Sequence, residues 1–103
     1  MMRTMFHHPH GVRGGTNEQE VEARLMSVLG HVSERVTTLH VTMEDANGPK
    51  GGPDKTCKLE LHGPWDTVVV SATHEHMMGA VDAAAHKAAT AVDRVMKKIT
   101  AHR

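Results

Sequence analysis

Imidazole is the most plentiful reactive side chain in this sequence, with ten histidines among 103 residues. Two runs, His7-His8-Pro9-His10 and His74-Glu75-His76, bring imidazoles close enough to share a zinc, copper or nickel ion. A structural zinc site usually needs Cys/His pairs at short spacing twice over, and the chain has a single cysteine. His74 and His76 are therefore weak metal candidates, read first as polar turn and cap residues, and no metal or other cofactor is expected. Cys57 lies between Lys55 and Lys58, which would favour its thiolate. It also shares the apolar phase of its segment with Leu59 and Leu61, and a buried cysteine is ordinarily inert packing. No G-x-S-x-G, P-loop or G-x-G-x-x-G run occurs. The glycines from Gly48 to Gly52 join two strands instead of opening a helix, so no helix N-terminus backs them as a phosphate cradle. Glu44-Asp45 has no histidine that the sequence can place beside it. No catalytic residue is assigned, and the chain is not expected to be an enzyme.

Charge gives the stronger chemical lead. Lys+Arg and Asp+Glu number 12 each, for a formal net charge of zero, which by itself speaks against phosphate binding. The distribution is bipolar. Thr16 to Asp45 holds six acids and two bases, whereas His86 to the end holds five bases (Lys87, Arg94, Lys97, Lys98, Arg103) and one acid, Asp93. Lys87, Arg94, Lys97 and Lys98 fall along one side of a helical segment, and Lys50, Lys55 and Lys58 could extend the same cationic surface. Phe6 and Trp65 are the only Phe, Tyr or Trp residues, so base stacking on an aromatic sheet is disfavoured. Recognition of structured RNA by shape and backbone charge remains.

The elements that must carry these residues are legible from periodicity. Val21, Leu25, Val28, Leu29, Val32 and Val36 recur at helical spacing, and Thr16 with Gln19 matches a capping box, predicting a helix from Thr16 towards Val36. Leu39, Val41 and Met43, then Cys57, Leu59 and Leu61, then Val68, Val70 and Ala72 alternate with polar neighbours, predicting three antiparallel strands with one wet face. That face includes His40, Thr42, Glu44, Lys58, Glu60, His62 and Ser71. Met77 onward, Val81, Ala84, Ala88, Val92, Val95 and Ile99 form the apolar stripe of a long last helix. Met2, Thr4 and Phe6 supply a short first strand, joined to the second by a right-handed crossover. The expected fold is α+β, in the order β-α-β-β-β-α, with a four-stranded, mainly antiparallel sheet and two helices on one face. A single domain over residues 1–103 is expected, its first 15 residues divergent. With no apolar leader at the N-terminus, no membrane-length apolar run and one cysteine, a cytoplasmic location is expected.

The segment from Val41 to Glu60, which contains Asn47-Gly48, Lys50, Asp54-Lys55 and Cys57, resembles the strand-loop-strand signature of the ribosome hibernation promoting factors. That family is also called ribosome-associated inhibitor or sigma factor modulation protein. Ala80-Val81-Asp82-Ala83-Ala84-Ala85-His86-Lys87 is similar to its last-helix motif, with His86 where an acid is usual. The resemblance implies a short-form protein that occupies the messenger and transfer RNA channel of the small ribosomal subunit and keeps idle ribosomes silent under stress or in stationary phase. Lys87, Arg94, Lys97 and Lys98 would then hold rRNA phosphates, assisted by Lys50, Lys55 and Lys58. The chain departs from the family pattern at Thr90 and Asp93, where arginine or lysine is usual, and Asp93 should weaken phosphate contact. The expected partner is the small subunit and its rRNA, with no membrane, no small-molecule substrate and a monomer off the ribosome. Two other functions fit the same elements: a histidine-rich metal-binding or stress module, and a double-stranded RNA-binding domain in the strict sense.

Overall fold

The computed structural model describes residues 2–7, 17–45, 55–65 and 67–101, with side chains as far as Lys98. Six elements follow in the predicted order: β1 (Arg3–His7), α1 (Glu18–Leu29), β2 (Thr38–Asp45), β3 (Lys55–His62), β4 (Val68–His74) and α2 (Met77–Ala101). The sheet runs β1-β2-β3-β4, with β1 parallel to β2 and the other two pairs antiparallel. The α1 crossover between β1 and β2 is the connection that parallel pairing requires. No helix among the described residues is long and apolar enough to cross a membrane.

Strand alternation sorts the sheet into two faces. Leu39, Val41 and Met43 of β2, Cys57, Leu59 and Leu61 of β3, and Val68 and Ala72 of β4 are buried under the helices. Val21, Leu25 and Leu29 of α1 and Val81, Ala84, Ala85, Ala88 and Val92 of α2 meet them. The alanines let α2 lie close against β3 and β4, while Val81 and Val92 fill the remaining space. Burial pushes the Cys57 thiol up to about 12, so it stays protonated and unreactive, as its strand phase predicts.

The first helix differs from the periodicity in both ends. Its cap is Asn17, whose Oδ1 accepts from the backbone N of Gln19 at 2.7 Å, and Thr16 lies outside the described residues. The helix stops at Leu29, where Val32 N donates to Leu29 O at 3.0 Å and Ser33 Oγ donates to Gly30 O at 2.9 Å. These bonds satisfy the last carbonyls with a tighter turn. Val32 and Val36 still reach the core, so the apolar spacing persists after the helix has ended. The predicted contribution of Ile99 to the α2 stripe lies outside the described side chains.

One close approach fixes the end of β3. A Cβ on Gly63 would stand 2.6 Å from the Trp65 ring and 2.7 Å from Arg35 O, so this turn admits only glycine without movement. The same corner is tied by Thr37 N and Thr37 Oγ1, which donate to His62 O at 2.8 and 3.0 Å. His62 is thereby held at a defined point on the open face of the sheet.

Candidate functional site

Helix geometry separates the charges of α2 by sign. Lys87, Arg94 and Lys98 stand at i, i+7 and i+11, which at about 100° per residue places them within about 40° of one another. All three are exposed, as is Lys97, which stands between this stripe and Asp93 one turn before it. Lys87 Nζ donates to Ser71 O on the edge strand β4 at 2.9 Å, so this cationic stripe borders the outer edge of the sheet. Asp82 and Asp93 lie about a third of a turn away and face α1. Asp82 Oδ1 is 3.8 Å from Arg24 Nη1, and Asp93 Oδ2 is 3.4 Å from His31 Nε2. Half-exposed pairs of this kind contribute little stability. Their consequence is positional: the acid expected to spoil a phosphate surface is turned towards the other helix. Thr90, the second departure, donates its hydroxyl to His86 O at 3.1 Å and stays exposed without charge.

Lys55 and Lys58 do not join this stripe as one surface. Lys58 projects from the open face of the sheet, away from the helices, and its register partner is Ser71. Lys55 Nζ sits 3.1 Å from Asp45 Oδ1, its cross-strand neighbour, with both side chains about four-fifths covered. Lys50 lies outside the described residues. The β4 edge, where the Lys87 amine meets the Ser71 carbonyl, is where the helix stripe and Lys58 come nearest in register.

His74 takes the turn role that the sequence suggests. Its Nδ1 accepts from His76 N at 3.0 Å, and its ring packs where a Cβ on Gly79 would stand. The two rings tilt at 41°, their centres 5.9 Å apart, and His74 Nδ1 is engaged within the β4–α2 junction. His8 and His10 lie outside the described residues.

A different polar cluster occupies the open face. His40, Glu60 and His62 come from adjacent strands, and one potential ligand atom of each lies within 4.8 Å of the others. His40 is the register partner of Glu60, and His7 on β1 completes the row, with its Nε2 3.0 Å from His40 Nδ1. The alternation places each of these residues on the wet face. Their convergence depends on the β2–β3 register, which a nine-residue interstrand segment leaves open in the sequence.

His62 Nε2 lies 2.8 Å from Glu60 Oε2. This hydrogen bond, aided by positive charge at His62, His40 and Lys58, holds the Glu60 carboxyl below the usual glutamate range against the opposing effect of desolvation. The folded pKa is lower than the unfolded one, so the stabilisation is present above the unfolded value and is lost as pH falls through the folded value. Carbon-detected NMR titration of Glu60 should give a midpoint below that of a free peptide, rising towards it in His62→Gln. An unchanged midpoint in that variant would exclude His62 as the main cause.

The sequence profile of the family described as Sigma 54 modulation protein / S30EA ribosomal protein matches residues 16–100. Among solved structures, this chain is similar to a ribosomal subunit interface protein from Coxiella burnetii, with a TM-score of 0.74 at 14% identity over 94% of this chain and 99% of that one. It is also similar to the N-terminal domain of Protein Y from Thermus thermophilus, with a TM-score of 0.69 at 16% identity over 91% and 97% of the two chains. No curated protein sequence matches significantly. At these identities the structural likeness speaks to the fold, while the profile covers the hairpin and both helices.

Proposed function

This chain belongs to the Sigma 54 modulation protein / S30EA ribosomal protein family, and from that premise we propose that it binds the small ribosomal subunit and inhibits translation. It acts by occupancy, without catalysis. The α2 stripe of Lys87, Arg94 and Lys98, with Lys97 beside it, tracks rRNA phosphates along the messenger and transfer RNA channel. The observation that carries this reading is the arrangement of charge on α2: Lys87, Arg94 and Lys98 on the flank that meets the β4 edge, Asp82 and Asp93 on the flank that meets α1 and the turn after it, and Lys97 between the two. A chain of zero net charge thereby presents a local cationic surface. From Lys87 to Lys98 the stripe is about 16 Å long at 1.5 Å per residue, enough to span several phosphates. Lys58 assists from the sheet face and Lys55 from the hairpin end of β3, and Lys50 adds a further cation. The name of the Coxiella protein, a ribosomal subunit interface protein, agrees with this partner. The chain is a single domain that works in the cytoplasm on idle ribosomes, in stress or stationary phase, and is monomeric when free.

Sedimentation of the untagged protein through a sucrose cushion with purified small subunits tests the proposal. It should pellet with them, be released as salt rises, and be displaced by excess messenger and transfer RNA. Failure to pellet overturns ribosome binding. Pelleting that ignores messenger and transfer RNA overturns the channel placement, and stronger binding to an isolated RNA duplex would favour the strict double-stranded RNA function instead.

A further inference from the structure

The geometry points to a transition-metal site on the open face of the sheet, built from His40 on β2 and Glu60 and His62 on β3, that takes a divalent ion of the zinc class. The placement does not depend on ribosome binding. These residues sit on paired strands, with candidate ligand atoms no more than 4.8 Å apart. Tetrahedral zinc at about 2.05 Å from nitrogen or oxygen separates its ligands by about 3.3 Å, so closure needs about 1.5 Å or less at each pair, within reach of side-chain torsions. Two imidazoles and a carboxylate suit zinc, and one tetrahedral position is left to water or a further ligand.

What distinguishes this cluster from histidines that happen to be near one another is the way the outer ring nitrogens are held. Metal-ligating imidazoles nearly always give their other nitrogen to a partner that fixes the tautomer. His40 Nδ1 faces His7 Nε2 at 3.0 Å, with the two rings stacked, and that pairing leaves His40 Nε2 as the donor towards the ion. His62 Nδ1 faces Thr67 Oγ1 at 3.4 Å, which leaves His62 Nε2, the atom now bonded to Glu60 Oε2, as the second donor. Glu60 supplies the carboxylate oxygen of the set. Binding replaces the His62–Glu60 hydrogen bond by two bonds to the ion, and the imidazole proton passes through solvent from His62 Nε2 to Nδ1, where Thr67 Oγ1 can accept it. Met5 and Val69, the register neighbours of His40 and Glu60, flank the row with partly exposed apolar side chains. Lys58, one residue pair along on the same face, is the opposing charge. His7 is a positioning residue here, acting through His40.

Calorimetric titration of the untagged full chain with zinc chloride, alongside cobalt substitution followed by visible absorption, tests the site. One ion should bind per chain with sub-micromolar affinity, and cobalt should give tetrahedral bands. His40→Gln, His62→Gln and Glu60→Gln should each weaken zinc by more than the about tenfold to hundredfold typical of losing a supporting partner. His7→Ala should fall within that range, and His7→Gln should recover most of it, because an amide oxygen can still accept from His40 Nδ1. The double variants His74→Gln/His76→Gln and His8→Gln/His10→Gln should bind as the parent does. Because the three ligand residues face solvent, unchanged circular dichroism is expected in every variant. Absence of sub-micromolar binding, or binding that survives the joint loss of His40 and His62, overturns the assignment.

Discussion

Reversing Arg94 and Lys98 together to glutamate should lower affinity for small subunits by more than one order of magnitude. Each phosphate neutralised by a cation contributes to the salt dependence of binding, with a slope of about −0.7 to −0.9 per contact. Losing two contacts should flatten the plot of log affinity against log salt by about 1.5, and the two new negative charges add repulsion on top. Both residues are exposed, so stability should change by about 0.5 kcal/mol or less. The loss would then be one of recognition and not of folding. Lys58→Glu is the informative companion, because Lys58 stands on the opposite face of the sheet from α2. If Lys58→Glu costs as much as the helix pair, RNA lies against the open face. If the Arg94/Lys98 variant pellets as the parent does, α2 is not the phosphate surface. Lys87 is a poorer choice for the first test, since its amine bonds the Ser71 carbonyl and its loss would also disturb the edge strand.

What periodicity could and could not deliver follows from which contacts are local. The apolar phases of β2, β3 and β4 are read from neighbours two residues apart, and each proved to be the buried face. The end of α1 was not legible because Val32 and Val36 serve the core from a turn as well as they would from a helix. Lys55 shows the limit for charges. It stands in a basic hairpin by sequence, yet pairing across the strand sets it against Asp45. Asp93 shows the reverse: an acid among bases by sequence, it is carried by the helical turn to His31 in the turn after α1. The same dependence on register hid the cluster of His7, His40, Glu60 and His62. Alternation assigns His40, Glu60 and His62 to the wet face, but only the strand pairing sets His40 opposite Glu60 and brings His7 beside it. By contrast, His74 and His76, neighbours in sequence, are drawn into the β4–α2 turn. Spacing along the chain does not separate the two pairs, since Glu60 and His62 are also two residues apart; the strand pairing is what adds His40 to them.

α2 packs across β3 and β4, and Leu59 on β3 is the residue through which the dependence of the fold on that buried face can be measured. It is fully buried, lies in register between Val41 and Val70, and belongs to the core cluster that includes Val81, Ala84, Ala88 and Val92 of α2. Leu59→Ala removes buried methyl groups and leaves a cavity, which typically costs about 2.7–5 kcal/mol. Domains of this size have about 5–15 kcal/mol in all, so the variant should lose a large share of its stability. At about 4–8 °C per kcal/mol, its melting temperature should fall by at least about 10 °C, as read by thermal or urea denaturation with circular dichroism. Val69→Ala, one strand over and 51% exposed on the open face, should change stability by about 0.5 kcal/mol or less. The contrast is what matters, because the two positions lie on neighbouring strands and differ chiefly in which face they occupy. A similar cost at both positions would mean that the open face is covered by something the isolated chain supplies, and a negligible cost at Leu59 would place α2 elsewhere. The expected asymmetry leaves the helices bound to one side, with the α2 cations at its margin and the histidine row free on the other.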